Sequence, residues 1–207
     1  MFNIHHTIRD SQQCQRNWDL SKTIPEGDIE TLKIAATQCP SKQNYLFYKL
    51  NFITNRVIIK NIYENTDGFT MQTDLNKPYS KENSHSYTNS QTLANLLIVI
   101  EYVKPSEGHR YRDKQFECDW KKDADQAVGV AGGYLNLTAA ILGYKTGFCA
   151  CLNNDKIKDI LNTSNDIALM LGVGYPDQNR NPREHHVDTT FTFPKKEKQP
   201  IETIFFF

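Results

Sequence analysis

The stretch LANLLIVIEYV, residues 93–103, is apolar almost without a break. A strand with one wet face alternates apolar and polar side chains, whereas an unbroken run expects cover on both faces. It is therefore predicted to be a central strand of a sheet with other structure packed above and below. Its apolar centre, LLIVI (residues 96–100), falls far short of the ~20 residues that a membrane-spanning helix requires.

Elements on either side fit this core. YLFYKLNFIT (residues 45–54) places Leu46, Tyr48, Leu50 and Phe52 on one face of a strand, and DIALMLGVGYP (residues 166–176) reads as a buried strand closed by a Gly-Tyr-Pro turn. SKTIPEGDIETLKIAATQC (residues 21–39) reads as a helix. Thr23 and Glu26 have the spacing of a capping box, Pro25 suits the first turn, and Ile29, Leu32, Ala35 and Ala36 share a face. Pro40 ends it, since proline disfavours helical geometry in the residue before it. NRVIIKNIYENT (residues 55–66) and NNDKIKDILN (residues 153–162) are expected to be short helices.

A long helix is expected over residues 123–142. It is rich in small residues, including Gly129, Gly132 and Gly133, and each interior glycine costs ~1 kcal/mol against alanine. Close approach of another helix or of a dimer partner would account for them. Residues 67–89 and 104–121 are polar and read as connections, the first with at most one short helix. The tail FPKKEKQPIETIFFF (residues 193–207) reads as a basic turn followed by a terminal strand. With no repeat and no linker, the expectation is one α+β domain over residues 1–207.

The totals agree with a soluble globular domain. Of 207 residues, 39% are hydrophobic and 23% charged, and the net charge is zero. No whole-molecule field argues for nucleic acid or a membrane surface. Five cysteines leave at least one thiol unpaired, which favours a reducing cytoplasm, and the N-terminus lacks the apolar core of a secretory signal.

Common catalytic patterns are missing. No Ser-His-Asp or Cys-His order stands out, and the glycines match no phosphate-loop or dinucleotide fingerprint. FCAC sets Cys149 and Cys151 too close for the usual spacing of a structural zinc pair, even with Cys118 or His185 added, so small buried thiols are the simpler reading. Cys39, beside Lys42 in sequence, is a conceivable nucleophile, but no partner histidine is fixed by spacing.

What does stand out is order: QQCQRNWD (residues 12–19), the capped helix, CPSKQN (residues 39–44), a strand, LTAAILGYKTGFCAC (residues 137–151), a helix, Gly-Tyr-Pro and the basic tail. This order resembles the nitroreductase family of FMN-dependent oxidoreductases. Its members begin with an Arg-x-Ser-x-Arg/Lys-like segment ending in an aromatic and Asp. A helix closed by Ala-Pro-Ser-Ser-x-Asn follows, then Leu-Ala-Ala-x-x-Leu-Gly, and a strand ends in Gly-Tyr-Pro. The resemblance runs from about Gln12 to Ile204 and is weakest between Asp67 and Asp123.

The resemblance implies a nitroreductase-like fold, a central, mostly antiparallel sheet flanked by helices, in an intertwined homodimer with FMN at the interface. In the N-terminal segment Gln12, Gln13, Cys14 and Arg16 would face the cofactor, with Arg16 on its phosphate or ribityl side. Gln12 stands where the family has Arg, and Cys14 where it has Ser, so one cation and one hydroxyl donor are lost. Setting Arg9, Asp10 and Ser11 against the family's Arg-x-Ser would restore both but requires an insertion. Lys196 and Lys198 match the basic pair of the tail.

Pro40, Ser41, Lys42 and Asn44 would lie along the flavin's edge and ring, in part from the other subunit. Lys42 replaces a small hydroxyl; it either supports negative charge near flavin N1 or faces solvent. Ala150 and Cys151 would occupy the pair whose backbone N–H groups face flavin N5 and O4.

By the same resemblance, NADH or NADPH would give hydride to the flavin, and a nitroaromatic, quinone or flavin acceptor would take the electrons. The flavin carries the chemistry, so no catalytic side chain and no metal are implied. Two alternatives stay open: a flavoenzyme of the same fold specialised for one metabolite, or a non-catalytic flavin-binding or scaffold protein with a decayed site.

Overall fold

The computed structural model describes residues 3–106 and 120–205. Most of the connection at residues 104–121, with Cys118, and the last two phenylalanines lie outside the described residues.

The predicted central strand is β4 (Leu96–Tyr102). It pairs antiparallel with β1 (Tyr48–Ile53) on one side and β6 (Ile167–Gly174) on the other, and β5 (Lys145–Cys149) closes the sheet in the order β1-β4-β6-β5. Leu96, Ile98 and Ile100 point to one face, where they meet Leu171 and Val173 of β6, Leu32 and Ala36 of α2 (Glu26–Thr37), and Val128, Ala131 and Leu135 of α4 (Trp120–Ile141). Leu97 and Val99 point to the other, where they meet Met170, Ile59 and Ile62 of α3 (Arg56–Tyr63), and Ile157 of α5 (Asn154–Leu161). Both faces of β4 are dry, which is why its apolar run is continuous.

Several local expectations are revised. Helix α2 starts later than the capping-box reading: Pro25 is the N-cap and no side chain caps the helix. The stretch at residues 67–89 is not all loop. It forms a hairpin of β2 (Phe69–Gln72) and β3 (Ser84–Tyr87), followed by a buried 3-10 turn, Ser90–Leu93. A further helix, α1 (Ile4–Ser11), precedes the N-terminal motif. The described part of the tail holds no terminal strand, and residues 194–205 are exposed.

The small residues of α4 divide by face. Gly132 faces the sheet, where a Cβ would lie 3.1 Å from Leu169 Cδ2 and 3.3 Å from Phe148 Cε1. The close neighbour there is a strand rather than a helix. A Cβ on Gly129 or Gly133 would meet nothing within 4 Å, so among the described residues of one chain nothing requires their small size.

Candidate functional site

The N-terminal segment is held against edge strand β5. Cys14 forms a parallel bridge with Thr146, the Gln15 N–H donates to the Thr146 carbonyl (2.8 Å), and the Arg16 N–H donates to that of Pro182 (2.8 Å). Asn17 Nδ2 donates to the carbonyls of Asn181 (2.6 Å) and Glu184 (3.0 Å), and Trp18 Nε1 to that of Ser90 (3.1 Å). These bonds tie the segment to the loop at residues 177–193 and to the buried turn, leaving Arg16 little backbone freedom.

Its guanidinium is equally confined. Nη1 donates to Gln91 Oε1 at 2.5 Å, and the guanidinium carbon lies 3.7 Å from the centroid of the Phe193 ring. No carboxylate among the described residues pairs with it. A partly buried guanidinium with one hydrogen bond keeps four of its five N–H donors, and its full charge, for something else.

The same edge carries other groups. Phe193 belongs to an aromatic nest with Phe69, Tyr87, Phe191 and His185. His185 is buried; its Nδ1 accepts from the N–H groups of Asp188 (2.8 Å) and Val187 (3.3 Å), and its Nε2 lies 3.4 Å from Thr88 Oγ1. His186 Nδ1 accepts the Trp18 N–H at 3.2 Å. Burial lowers the affinity of both rings for a proton, and the nearby Arg180 charge acts in the same direction.

Cys14 and Cys149 are not poised as nucleophiles. Burial raises the pKa of Cys14 against the opposing pull of Arg16, and pushes Cys149 up to about 12. Cys39 is buried and donates to the Ala36 carbonyl at 3.3 Å. Among the described residues no group of three metal-ligating side chains occurs, and Cys118 lies outside them.

The other expected wall sits across the sheet. Pro40 to Asn44 precede β1, the edge strand opposite β5. Three inter-strand spacings separate the two edges by roughly 14 Å. Here Ser41 Oγ is buried with no hydrogen-bond partner among the described residues. Lys42 Nζ bonds both oxygens of Asp123 in the first turn of α4 (3.0 and 2.9 Å). Gln43, Asn44 and Phe47 hold left-handed backbone angles (φ 55°, 59° and 48°), strained for residues with side chains.

A single chain thus gathers Cys14 and Arg16 at one edge and Ser41, Lys42 and Asn44 at the other. Gln12 and Gln13 lie exposed at the end of α1, Ala150 and Cys151 are exposed just past β5, and Lys196 and Lys198 are exposed in the tail that leaves the Arg16 edge after Phe193. Sequence reasoning missed Gln91 and Asp123, the partners of the two candidate cations. Each lies more than seventy residues from its cation in the chain (75 and 81), beyond any local pattern.

An antiparallel sheet covered by α2 and α4 on one face and by α3 and α5 on the other, with polar clusters at both edges, defines a class of α+β fold. The structure resembles a nitroreductase family protein from Clostridium novyi NT (TM-score 0.64, 15% identity, 89% of this chain and 92% of that one). It also resembles a nitroreductase family protein from Streptococcus pneumoniae TIGR4 (TM-score 0.61, 13% identity, 95% and 96%). A third similar structure is a nitroreductase with bound FMN from Bacteroides fragilis NCTC 9343 (TM-score 0.62, 17% identity, 94% and 100%). The chain has the nitroreductase fold. No protein-family model and no curated protein matches the sequence.

Proposed function

We propose that the protein is an FMN-dependent oxidoreductase of the nitroreductase type, passing electrons from NADH or NADPH to a small acceptor such as a nitroaromatic, a quinone or a flavin. The observation that carries this reading is Arg16: a partly buried cation with no carboxylate partner among the described residues, beside an edge strand, is suited to an anionic group. The buried, unpartnered hydroxyl of Ser41 is a second polar atom suited to a ligand. Residues of this kind fit a cofactor with a phosphate and a hydrogen-bonding ring.

In this reading Arg16, with Lys196 and Lys198 from the tail, holds the phosphate. Ser41, Lys42 and Asn44 lie against the ring from a second copy of the chain. The backbone at Ala150 and Cys151 faces the reactive edge, and Gln12, Gln13 and Cys14 border the site. When bound, FMN supplies two-electron chemistry by hydride transfer, and donor and acceptor use one site in turn. The chain's own work is binding, orientation and exclusion of water, and no side chain is assigned as acid or base.

A homodimer follows from the same reading, because each chain alone keeps the two walls apart. Gly129, Val130, Gly133, Tyr134 and Ile141 form an exposed stripe along α4, and Ile201, Ile204 and Phe205 are exposed in the tail. Such apolar surface is suited to burial against a second subunit. Among the described residues no helix is long and apolar enough to cross a membrane.

The test is titration with FMN followed by steady-state oxidation of NADH and NADPH with nitroaromatic and quinone acceptors. Stoichiometric yellow complex and acceptor-dependent turnover are expected. A chain that stays colourless and takes up no FMN refutes the proposal. FMN binding without turnover leaves a flavin-binding protein.

A further inference from the structure

We infer that Gln91 is the positioning residue for Arg16, orienting its guanidinium toward an anion without neutralising it; this rests on Arg16 being the phosphate-binding group of the proposed site. Gln91 is only 3% exposed. Its Nε2 donates to the Phe148 carbonyl of β5 at 3.0 Å, which fixes the amide so that Oε1 faces Arg16 Nη1. The amide is therefore fixed at both ends.

Its backbone is fixed as well. The turn Ser90–Leu93 is wholly buried and rests on two strand glycines. A Cβ on Gly172 would come within 2.0 Å of the Gln91 carbonyl oxygen, and one on Gly147 within 2.4 Å of Gln91 Cβ. Only strands without side chains at these points admit the turn so close to the sheet. The Phe193 ring then covers one face of the guanidinium at 3.7 Å.

Both contacts that hold Arg16 are thus electrically neutral. A carboxylate at position 91 would pair with the guanidinium, but it has no N–H for the Phe148 carbonyl, and it would cancel the charge an incoming anion needs. An amide supplies direction alone. The distinction matters in this chain because Gln12 and Cys14 carry no charge at neutral pH, so Arg16 is the cation of the segment that follows α1.

The experiment compares FMN with riboflavin, which lacks the phosphate, by quenching of flavin fluorescence on binding. The ratio of their dissociation constants reports all the phosphate contacts, Lys196 and Lys198 included, and its change between wild type and a Gln91 variant isolates what Arg16 contributes. Wild type is expected to prefer FMN on the order of tenfold or more. Gln91→Glu should take away most of that preference, leaving the share that Lys196 and Lys198 hold, while riboflavin affinity stays within about twofold, because only the phosphate loses a partner. Gln91→Met, which removes the anchor and adds no charge, should lower the ratio by several-fold.

A thermal melt establishes that each variant is folded, and if Gln91→Glu fails to fold, Gln91→Met decides. A folded variant with the wild-type ratio overturns the positioning role and leaves the flavin proposal standing. Equal wild-type affinity for both flavins removes Arg16 from the phosphate. Wild type that binds neither removes the flavin reading itself.

Discussion

Lys42 Nζ donates to both carboxylate oxygens of Asp123, at 3.0 and 2.9 Å, and joins the segment before β1 to the first turn of α4. The pair is unequal in burial: the Asp123 side chain is 8% exposed and that of Lys42 49%. Removing the lysine leaves a buried carboxylate with no other side-chain partner among the described residues, softened by the positive end of the helix dipole. Removing the carboxylate's charge leaves a lysine that can still reach water.

Lys42→Met should therefore destabilise the protein by about 1–3 kcal/mol, and Asp123→Asn by about 1 kcal/mol or less. Urea unfolding at constant m-value measures both. Equal losses would show that the pair acts as a surface contact with no burial asymmetry.

Glu101 carries the second prediction. Its side chain is fully buried where the register of β4 and β6 shifts, and it accepts from Asn51 Nδ2 (2.6 Å), Thr163 Oγ1 (2.7 Å), Asn165 Nδ2 (3.0 Å) and Lys49 Nζ (3.2 Å). Burial alone would raise its pKa, but these donors together hold it below the ordinary value near 4.5. The group thus adds stability that is present above the unfolded pKa and lost as pH falls through the lower folded value. Glu101→Gln should cost about 2–4 kcal/mol at pH 7, since an amide N–H would face donors, and should flatten the loss of stability below pH ~4.5. An unchanged acid limb of the stability curve would exclude Glu101 as its source.

Sequence legibility followed the range of the forces involved. Strands β4 and β6 and helices α3 and α5 were readable because burial of their own side chains imposes a pattern on consecutive residues. Strand β5 was not, because its inward positions include Thr146 and Gly147, the latter kept bare by Gln91 packed against it. The hairpin β2–β3 escaped notice for a related reason: its exposed positions include the apolar Met71 beside Thr70, so they do not alternate, and its anchor is the stacking of Tyr87 on Phe191, whose ring centroids lie 3.6 Å apart across more than a hundred residues of chain. The order of motifs singled out Arg16 and Lys42 as candidates, but Gln91 and Asp123 exist as their partners only once the chain is folded.

The third prediction concerns acid. Burial first, then the Arg16 and Arg180 charges, depress the pKa of His185 against Thr88 and Asp188, which act the other way. Burial also leads for His186, joined by Arg180, Arg56 and His185 and opposed by Asp177. Each Nδ1 accepts a backbone N–H, so protonation would set a donor against a donor. With folded values below the unfolded ~6.5, the unfolded state binds more protons, and stability is lost as pH falls below that point. The melting temperature should drop between pH 7 and 5 by about 2–4 °C per kcal/mol lost. His185→Asn keeps an acceptor near the Nδ1 position and should flatten that drop; an unaltered pH profile would assign it to other groups.

The last prediction separates the two faces of α4. Gly133→Ala adds a methyl group where nothing lies within 4 Å, so in a single chain it should gain about 0.5–1 kcal/mol of helix stability. Where two chains meet along the stripe of Gly129, Val130, Gly133 and Tyr134, the same methyl group separates the helices and weakens their association. Stability of the chain and affinity of the dimer should then move in opposite directions, which a general stabilising or destabilising effect cannot produce. Gly132→Ala is the internal comparison: its methyl group would meet Leu169 at 3.1 Å and Phe148 at 3.3 Å inside the chain, which offsets the helix gain, so it should stabilise the chain less than Gly133→Ala and have no specific effect on association. Sedimentation equilibrium gives the dimer constant, and unfolding at several protein concentrations separates it from the chain's own stability. A Gly133→Ala protein that is more stable and self-associates as tightly as wild type would remove this face of α4 from the interface.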